Sequence, residues 1–391
     1  MNFRVTETRG GFDLKIKDVR PTMFWTGNRN SLCCVIETDD GLIGLGEGGA
    51  SGQLPAIAAA IDTLKSRIIG EDATRIEHLW QTCFRGSFFP GGNILSSAVS
   101  AIDIALWDIN AQALGVPVHR LLGGLCREKV PAYCHIGGHT VDGVVESGVA
   151  AVKEGWKFIR WGIPQQENRH EPTVAIRESI KGMEALRAAV GDEIEILFDI
   201  HARLDPSDAI QLSRGIEHTR PYFIEDPLRS ENTQLFRHIR QHIHSPLAAG
   251  EHFASKWEFR QMIEEDLIDF ARIDLCIVGG ITEAKKVAGW CETHQIRLAT
   301  HNPLGPVSAA ACMHLSASVT NLGVAEQPRR PGTTMTDMFP VQIDWKDGYL
   351  IPSNKPGLGV VFDEAAAKAS PFRSGQQRPY LTRDDGSYTN W

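Results

Sequence analysis

From about Val130 to Glu326 the chain alternates short β-rich runs with longer helical stretches, and nothing else in the sequence narrows the fold as far. The runs fall at 130–136, 157–162, 194–200, 222–226, 246–251, 270–274, 296–301 and 321–326. Such alternation implies parallel strands joined by helical crossovers. Eight runs in roughly 200 residues predict a (β/α) barrel rather than an open sheet. Helix starts between the runs carry ordinary signals. Asp205 followed by Pro206, for example, reads as an N-cap with proline at the first helical position.

Upstream the pattern is α+β. Residues 32–38 pass through Asp39-Asp40-Gly41 into 42–47, which predicts a hairpin. Val99, Ile102, Leu106, Ile109 and Ala113 recur every three or four positions. That spacing predicts a helix with one apolar face, starting after Ser96-Ser97 and stopping at Gly115-Val116-Pro117. Beyond about Arg330 the chain is rich in glycine and proline, with a short alanine-rich helix predicted near 363–369. This tail is expected to fold back onto the first domain.

Composition excludes several function classes. Forty lysines and arginines against 48 aspartates and glutamates leave a net charge of −8, which disfavours a nucleic-acid partner and suits a protein that holds cations. The longest apolar stretch, Leu275 to Ile281, falls far short of the roughly 20 residues of a membrane helix, so no membrane partner is expected. Residues 1–7 lack the basic-then-apolar layout of a signal peptide. Eight cysteines with no CxxC and no paired spacing predict reduced, mostly buried thiols and no zinc site. A cytoplasmic location is the expectation.

The polar residues that end the runs form a ladder. Asp199, Glu225, Glu251, Asp274, His301 and Glu326 are separated by 26, 26, 23, 27 and 25 residues, about the length of one strand–helix unit. One acid at a strand end is ordinary solvation or capping; six in near-constant register mark the C-terminal rim of a barrel, where active sites are built. Asp199, Glu225 and Glu251 end adjacent strands. Two like charges about 4 Å apart repel by around 4 kcal/mol at an effective dielectric near 20. Three such groups therefore need protons or a divalent cation. All are hard oxygen donors, which selects Mg²⁺, with Mn²⁺ as a substitute.

Histidines supply the other half. His201 lies two residues after Asp199, so strand alternation predicts that both side chains point the same way. His301 ends the seventh run against the third for Asp199, across the metal. Asp274, one strand before His301, is placed to accept a ring N–H, fixing the tautomer and raising the basicity of the other nitrogen. A metal flanked by two histidines suits proton abstraction beside a carboxylate, followed by loss of a leaving group.

With these residues the chain is identified as a member of the enolase superfamily, in the branch of mandelate racemase and the acid-sugar dehydratases. The resemblance runs from Asp40-Gly41-Leu42-Ile43-Gly44-Leu45-Gly46-Glu47 through Ala101-Ile102-Asp103-Ile104-Ala105-Leu106-Trp107-Asp108 to Lys355-Pro356-Gly357-Leu358-Gly359. Phe198-Asp199-Ile200-His201-Ala202-Arg203, Phe223-Ile224-Glu225-Asp226-Pro227, Ala249-Gly250-Glu251, Gly279-Gly280-Ile281-Thr282 and His301-Asn302-Pro303-Leu304-Gly305-Pro306 resemble galactonate and mannonate dehydratases. The resemblance implies an α/β fold, a (β/α)7β TIM-like barrel with an α+β capping domain. The cap is expected from residues 1–127 and 331–391, and the barrel from 128–330.

The resemblance also implies an activity: Mg²⁺-dependent loss of water from an aldonic acid, galactonate- or gluconate-like, giving a 2-keto-3-deoxy sugar acid by way of an enediolate. In that reading Asp199, Glu225 and Glu251 bind the metal and His301, oriented by Asp274, removes the C2 proton. His201 protonates the departing 3-OH, and Glu326 hydrogen-bonds the enediolate oxygen. Arg160 is similar to the second-strand arginine of mannonate dehydratases, although no tyrosine lies between Tyr133 and Tyr222. Arg160 and Gly162 stand where racemases of the branch carry Lys-x-Lys, which counts against two-base racemisation. Asn302-Pro303 replaces the Cys-Pro common in galactonate-type enzymes. Substrate contacts are expected from Trp25 and Arg29 in a capping loop (22–30), from a Gly-rich turn at 47–53 read as a mobile lid, and from His135, His139 and Trp161 at the first two strands. A homo-oligomer is usual in the family. Two alternatives stay open: an acid-sugar epimerase, racemase or cycloisomerase on the same scaffold, and a catalytically weak sugar-acid-binding or regulatory homologue.

Overall fold

The computed structural model describes residues 14–164, 168–375 and 380–389; the N-terminal residues 1–7 read above lie outside them. The first element is an antiparallel sheet of β1 (Ile16–Trp25), β2 (Asn30–Thr38) and β3 (Ile43–Glu47), with the Asp39-Asp40-Gly41 turn between the last two. Helices α1 (Leu54–Ile68), α2 (Ile76–Arg85) and α3 (Asn93–Ala113) pack on it, and a short α4 (Val118–Leu121) leads out.

The barrel follows. Its strands and helices are β4 (Val130–His135), α5 (Val141–Glu154), β5 (Phe158–Gly162), α6 (Pro172–Val190), β6 (Glu195–Asp199), α7 (Pro206–Ile216), β7 (Phe223–Glu225), α8 (Leu235–Arg240), β8 (Leu247–Ala249), α9 (Lys256–Glu264), β9 (Phe270–Ala271), α10 (Gly280–Thr293), β10 (Arg297–Thr300), α11 (Pro306–Ser318) and β11 (Leu322–Glu326). All eight strands are parallel, and β11 pairs with β4 to close the ring. This is the predicted (β/α)7β order. The tail divides itself: β12 (Asp344–Lys346) and β13 (Tyr349–Ile351) form a hairpin that pairs antiparallel to β4, while α12 (Glu364–Ala369) packs on β1.

Helix α3 departs from its sequence reading in two ways. It begins at Asn93, before Ser96 and Ser97, and it is buried nearly all round rather than on one face. Its serines are docking groups, not caps. Ser97 Oγ accepts from the Gly49 and Ala50 N–H groups and donates to the Cys276 carbonyl at 2.8 Å. By length and mean hydropathy α3 could cross a membrane, but 78% of its apolar window is buried inside this structure, between cap and barrel. The family motifs are explained by the same seam. Asp103 Oδ2 accepts from Thr282 N–H at 3.0 Å, and Asp108 accepts from the Leu45 and Leu358 N–H groups. Gly280, at φ +81°, lies where a Cβ would stand 2.2 Å from Asp103 Oδ2. Those motifs hold the two parts of the chain together. All eight cysteines are free and all but Cys126 are buried.

Candidate active site

An apolar layer plugs the barrel: Tyr133, Leu197, Phe223, Ala248, Phe270, Ala299 and Val324, with Phe158 packed against it. Side chains on a strand alternate, so the residue two further on projects into the barrel one level higher. Applied strand by strand, that rule delivers His135, Arg160, Asp199, Glu225, Arg272, His301 and Glu326 to one level. On β8 the register breaks at Gly250, whose φ is +130°, and the acid comes one residue later as Glu251. His201 is also an exception. Its φ of 56° takes it off the strand, so the alternation argument for it fails although its ring still reaches the rim.

Trp161 follows the same rule outward, not inward. It lies over Gly182 of α6, where a Cβ would meet its ring, and against Phe198 with ring centroids 5.5 Å apart. Its expected place in the pocket is corrected: it is barrel-to-helix packing. Trp25 is 8% exposed and tied to the tail, its N–H donating to the Ser370 carbonyl and its ring facing the Arg373 guanidinium at 4.7 Å. Arg29 of that loop does reach the barrel, donating to the Leu304 carbonyl three residues beyond His301. His139 is exposed in the loop after β4. The Gly-rich turn read as a lid is anchored at its start: Glu47, Gly48 and Gly49 are buried, and Glu47 Oε2 accepts from Ser308 N–H at 2.9 Å in the first turn of α11.

The polar level is a network of ion pairs. His301 Nδ1 lies 2.7 Å from Asp274 Oδ2, as predicted, and its Nε2 lies 3.2 Å from Glu251 Oε2. Asp274 is itself held by the Cys276 N–H at 2.7 Å. Across the mouth, His201 Nε2 sits 3.0 Å from Asp199 Oδ2 and 2.9 Å from Arg160 Nη2, and Arg160 also pairs with Asp199. Glu326 accepts from His135 Nε2 at 2.6 Å and from Asn302 N–H at 2.9 Å. The centre belongs to Arg272, which the sequence reading missed. Fully buried, it pairs with Glu225 and with Glu326 at 2.6 Å, and donates to the Ala299 carbonyl at 2.9 Å. A cation two residues before Asp274, inside a strand run that ends in acids, was the available signal.

These contacts set the charge states. Burial opposes the His301 imidazolium, but Glu251, Glu326 and Asp274 outweigh it and raise the pKa to about 9. Burial also opposes ionised Glu251; His301, then His201 and His252, hold it low nonetheless. Burial pushes Glu225 up to about 7 against the attraction of Arg272, and pushes Asp226 up with Glu251 and Glu225 adding to it. Six carboxylates (Asp199, Glu225, Asp226, Glu251, Asp274, Glu326) thus share one mouth with two guanidinium groups. Glu225 Oε2 and Asp226 Oδ2 are buried with no hydrogen-bond partner among the described residues. Unpaired hard oxygens in an acidic excess fit a divalent cation. The trio Asp199, Glu225 and Glu251 is not the set that converges most closely. Asp199 pairs with Arg160 and Glu225 with Arg272, and the three donors found within 4.8 Å of one another among the described residues are Asp226, Glu251 and His252.

An antiparallel α+β cap on a (β/α)7β barrel, with an acidic rim flanked by a His–Asp pair, defines the enolase-type architecture. The chain belongs to that superfamily. Residues 17–123 match the mandelate racemase/muconate lactonizing enzyme N-terminal domain, and residues 141–366 match the enolase C-terminal domain-like family. It is 36% identical to a D-mannonate dehydratase of Caulobacter sp. (strain K31), over 97% of this chain and all of that one. It is 35% identical to a D-galactonate dehydratase of Ralstonia nicotianae (strain ATCC BAA-1114 / GMI1000), over 91% of this chain and 95% of that one. A crystal structure of an enolase from Pantoea ananatis with bound D-gluconate and Mg superposes with a TM-score of 0.90 at 30% identity, covering 97% of this chain and 100% of that one.

Proposed function

We propose that this chain is a Mg²⁺-dependent acid-sugar dehydratase that converts an aldonic acid to a 2-keto-3-deoxy sugar acid. The observation that carries the reading is the His301–Asp274 pair, with the His301 Nε2 turned toward Glu251, and with His201 held beside Asp199 and Arg160. The dehydratase names of its relatives and the gluconate and Mg of the Pantoea structure support the reaction class and the ion.

Asp199, Glu225 and Glu251 are the proposed ligands, and a bound divalent ion would supply positive charge against the substrate carboxylate as the α-proton leaves. His301 Nε2 takes the C2 proton, with Asp274 holding Nδ1–H and stabilising the imidazolium. Glu251 keeps a proton on His301 while its own charge is uncompensated, so neutralising Glu251 readies the base. His201, steadied between Arg160 and Asp199, hands a proton to the leaving 3-OH. Glu326, fixed by His135, Asn302 and Arg272, is the proposed contact of the enediolate oxygen, a role in which its carboxyl must carry the proton it donates. Arg160 and His135 are the proposed substrate contacts.

The test is a panel of aldonic and aldaric acids incubated with Mg²⁺ and read out as keto acid with semicarbazide. Keto product from an aldonic acid is expected. Exchange of the α-proton in D₂O without loss of water would replace the proposal with an epimerase. A raised melting temperature without any turnover would replace it with a binding protein.

A further inference from the structure

We propose that the cap positions the base: Glu47 holds the loop that follows His301, Ser97 holds the loop that follows Asp274, and together they keep the imidazole and the carboxylate in register for proton abstraction. This rests on the role the dehydratase reading gives His301, and it assigns work to two residues which that reading leaves idle.

His301 and Asp274 stand just past the ends of β10 and β9. The His301 N–H donates to the Ile273 carbonyl at 3.0 Å, which ties the two backbones together. At those positions the loops set the side-chain direction, and each loop is gripped from the cap. After His301 the chain runs through Leu304 and Gly305 into α11, whose start has no side-chain cap from its own segment. A buried helix start without an acceptor leaves its N–H groups unpaired. Glu47, 2% exposed and 261 residues away from Ser308, supplies the acceptor: its Oε2 takes the Ser308 N–H at 2.9 Å. A carboxylate at a helix N-terminus is favoured twice, by the hydrogen bond and by the helix dipole. The fit is close. A Cβ at Gly305 would stand 2.5 Å from Glu47 Oε1, and Arg29 of the cap donates to the Leu304 carbonyl.

The second grip is on the other partner. Ser97 Oγ of α3 donates to the Cys276 carbonyl at 2.8 Å, and the Cys276 N–H in turn donates to Asp274 Oδ1 at 2.7 Å. Ser97 Oγ is itself fixed by the N–H groups of Gly49 and Ala50, close behind Glu47 in the chain. A Cβ at Gly49 would stand 2.7 Å from the Cys276 carbonyl oxygen. One short cap segment, 47–50, thus sets both loops, and the 2.7 Å contact of His301 with Asp274 lies between them.

The experiment follows the His301 Nδ1–H by NMR in the full-length protein labelled with ¹⁵N-histidine, assigned by its loss in His301→Asn, alongside kcat and KM on an acid sugar that wild type turns over. Glu47→Ala and Ser97→Ala should each speed exchange of that proton with solvent by about tenfold. They should lower kcat by about 10- to 100-fold and leave KM within about twofold. Gly305→Ala, which pushes the Glu47 carboxylate off the helix, should do the same. Glu47→Gln still accepts from Ser308 and should restore both readings to within about threefold of wild type. Glu77→Gln breaks a different contact between cap and barrel, the pair with Lys286, and should leave both unchanged. A folded Glu47→Ala protein with wild-type exchange and kcat would overturn the inference, as would Glu77→Gln matching Glu47→Ala. Where Glu47→Ala does not fold, Glu47→Asp, which withdraws the same charge by one methylene, carries the test. A wild type that converts no acid sugar would remove the dehydratase reading, while the exchange rates would still decide the positioning.

Discussion

Asp274→Asn isolates the charge that the account assigns to the base. The carboxylate lies 2.7 Å from His301 Nδ1. At that distance a unit charge pair interacts by about 6 kcal/mol at an effective dielectric near 20. This is a ceiling, because the asparagine side-chain oxygen still accepts one hydrogen bond, either from His301 Nδ1–H or from the Cys276 N–H, although not both. Glu251 and Glu326 stay in place, so the His301 pKa should fall from about 9 by about 1–2 units rather than collapse. A weaker base in a less certain tautomer should lose about 10²–10⁴ in kcat. The acidic limb of the rate profile should move to lower pH, since His301 must be unprotonated to act. The assay is keto-acid formation against pH, alongside the His301 titration followed by NMR. Unchanged kcat with an unmoved acidic limb would refute the reasoning, because neither the orientation nor the basicity of His301 would then depend on Asp274.

Three further outcomes follow from the same contacts. Arg272→Met should destabilise the metal-free protein by about 3–5 kcal/mol, as it strands Glu225 and Glu326 in the core; an unchanged urea midpoint would contradict this. Burial raises Glu47 and Asp103 to about 7 and Asp108 to about 6, so their contribution is present below the unfolded carboxylate range and is lost as pH rises through those values. Stability should therefore fall between about pH 4 and 7 on account of these groups, and Glu47→Gln should flatten that fall in urea titrations. Gly280→Ala should cost about 2–4 kcal/mol, through its positive φ and the clash with Asp103, read as a lowered melting temperature.

The ladder made the barrel legible because its spacing is fixed by covalent length: a strand, a helix and two loops consume nearly constant numbers of residues. The site was legible as far as strand periodicity reaches. The ladder marks Asp199, Glu225 and His301, and strand periodicity agrees with their inward direction, places Arg272 inside the barrel and turns Trp161 outward. It stops where the chain leaves the extended region. His201 at φ 56° and Asp226 at φ 38° sit in turns whose direction no alternation rule predicts. His252 follows the Gly250 turn for the same reason. Contacts between cap and barrel, such as Glu47 on α11 and Ser97 under the Cys276 loop, join residues more than 170 apart. A single sequence carries no local mark of them.

The central claim is that His301 removes the substrate's C2 proton and that water then leaves. It is tested most directly by ¹H NMR in D₂O, following the C2 proton of an aldonic acid that wild type turns over, with wild type and His301→Asn side by side. The account predicts that wild type forms the 2-keto-3-deoxy product while the variant neither eliminates nor exchanges at a comparable rate, with a loss of about 10²–10⁴. Elimination by pure His301→Asn at the wild-type rate would contradict it.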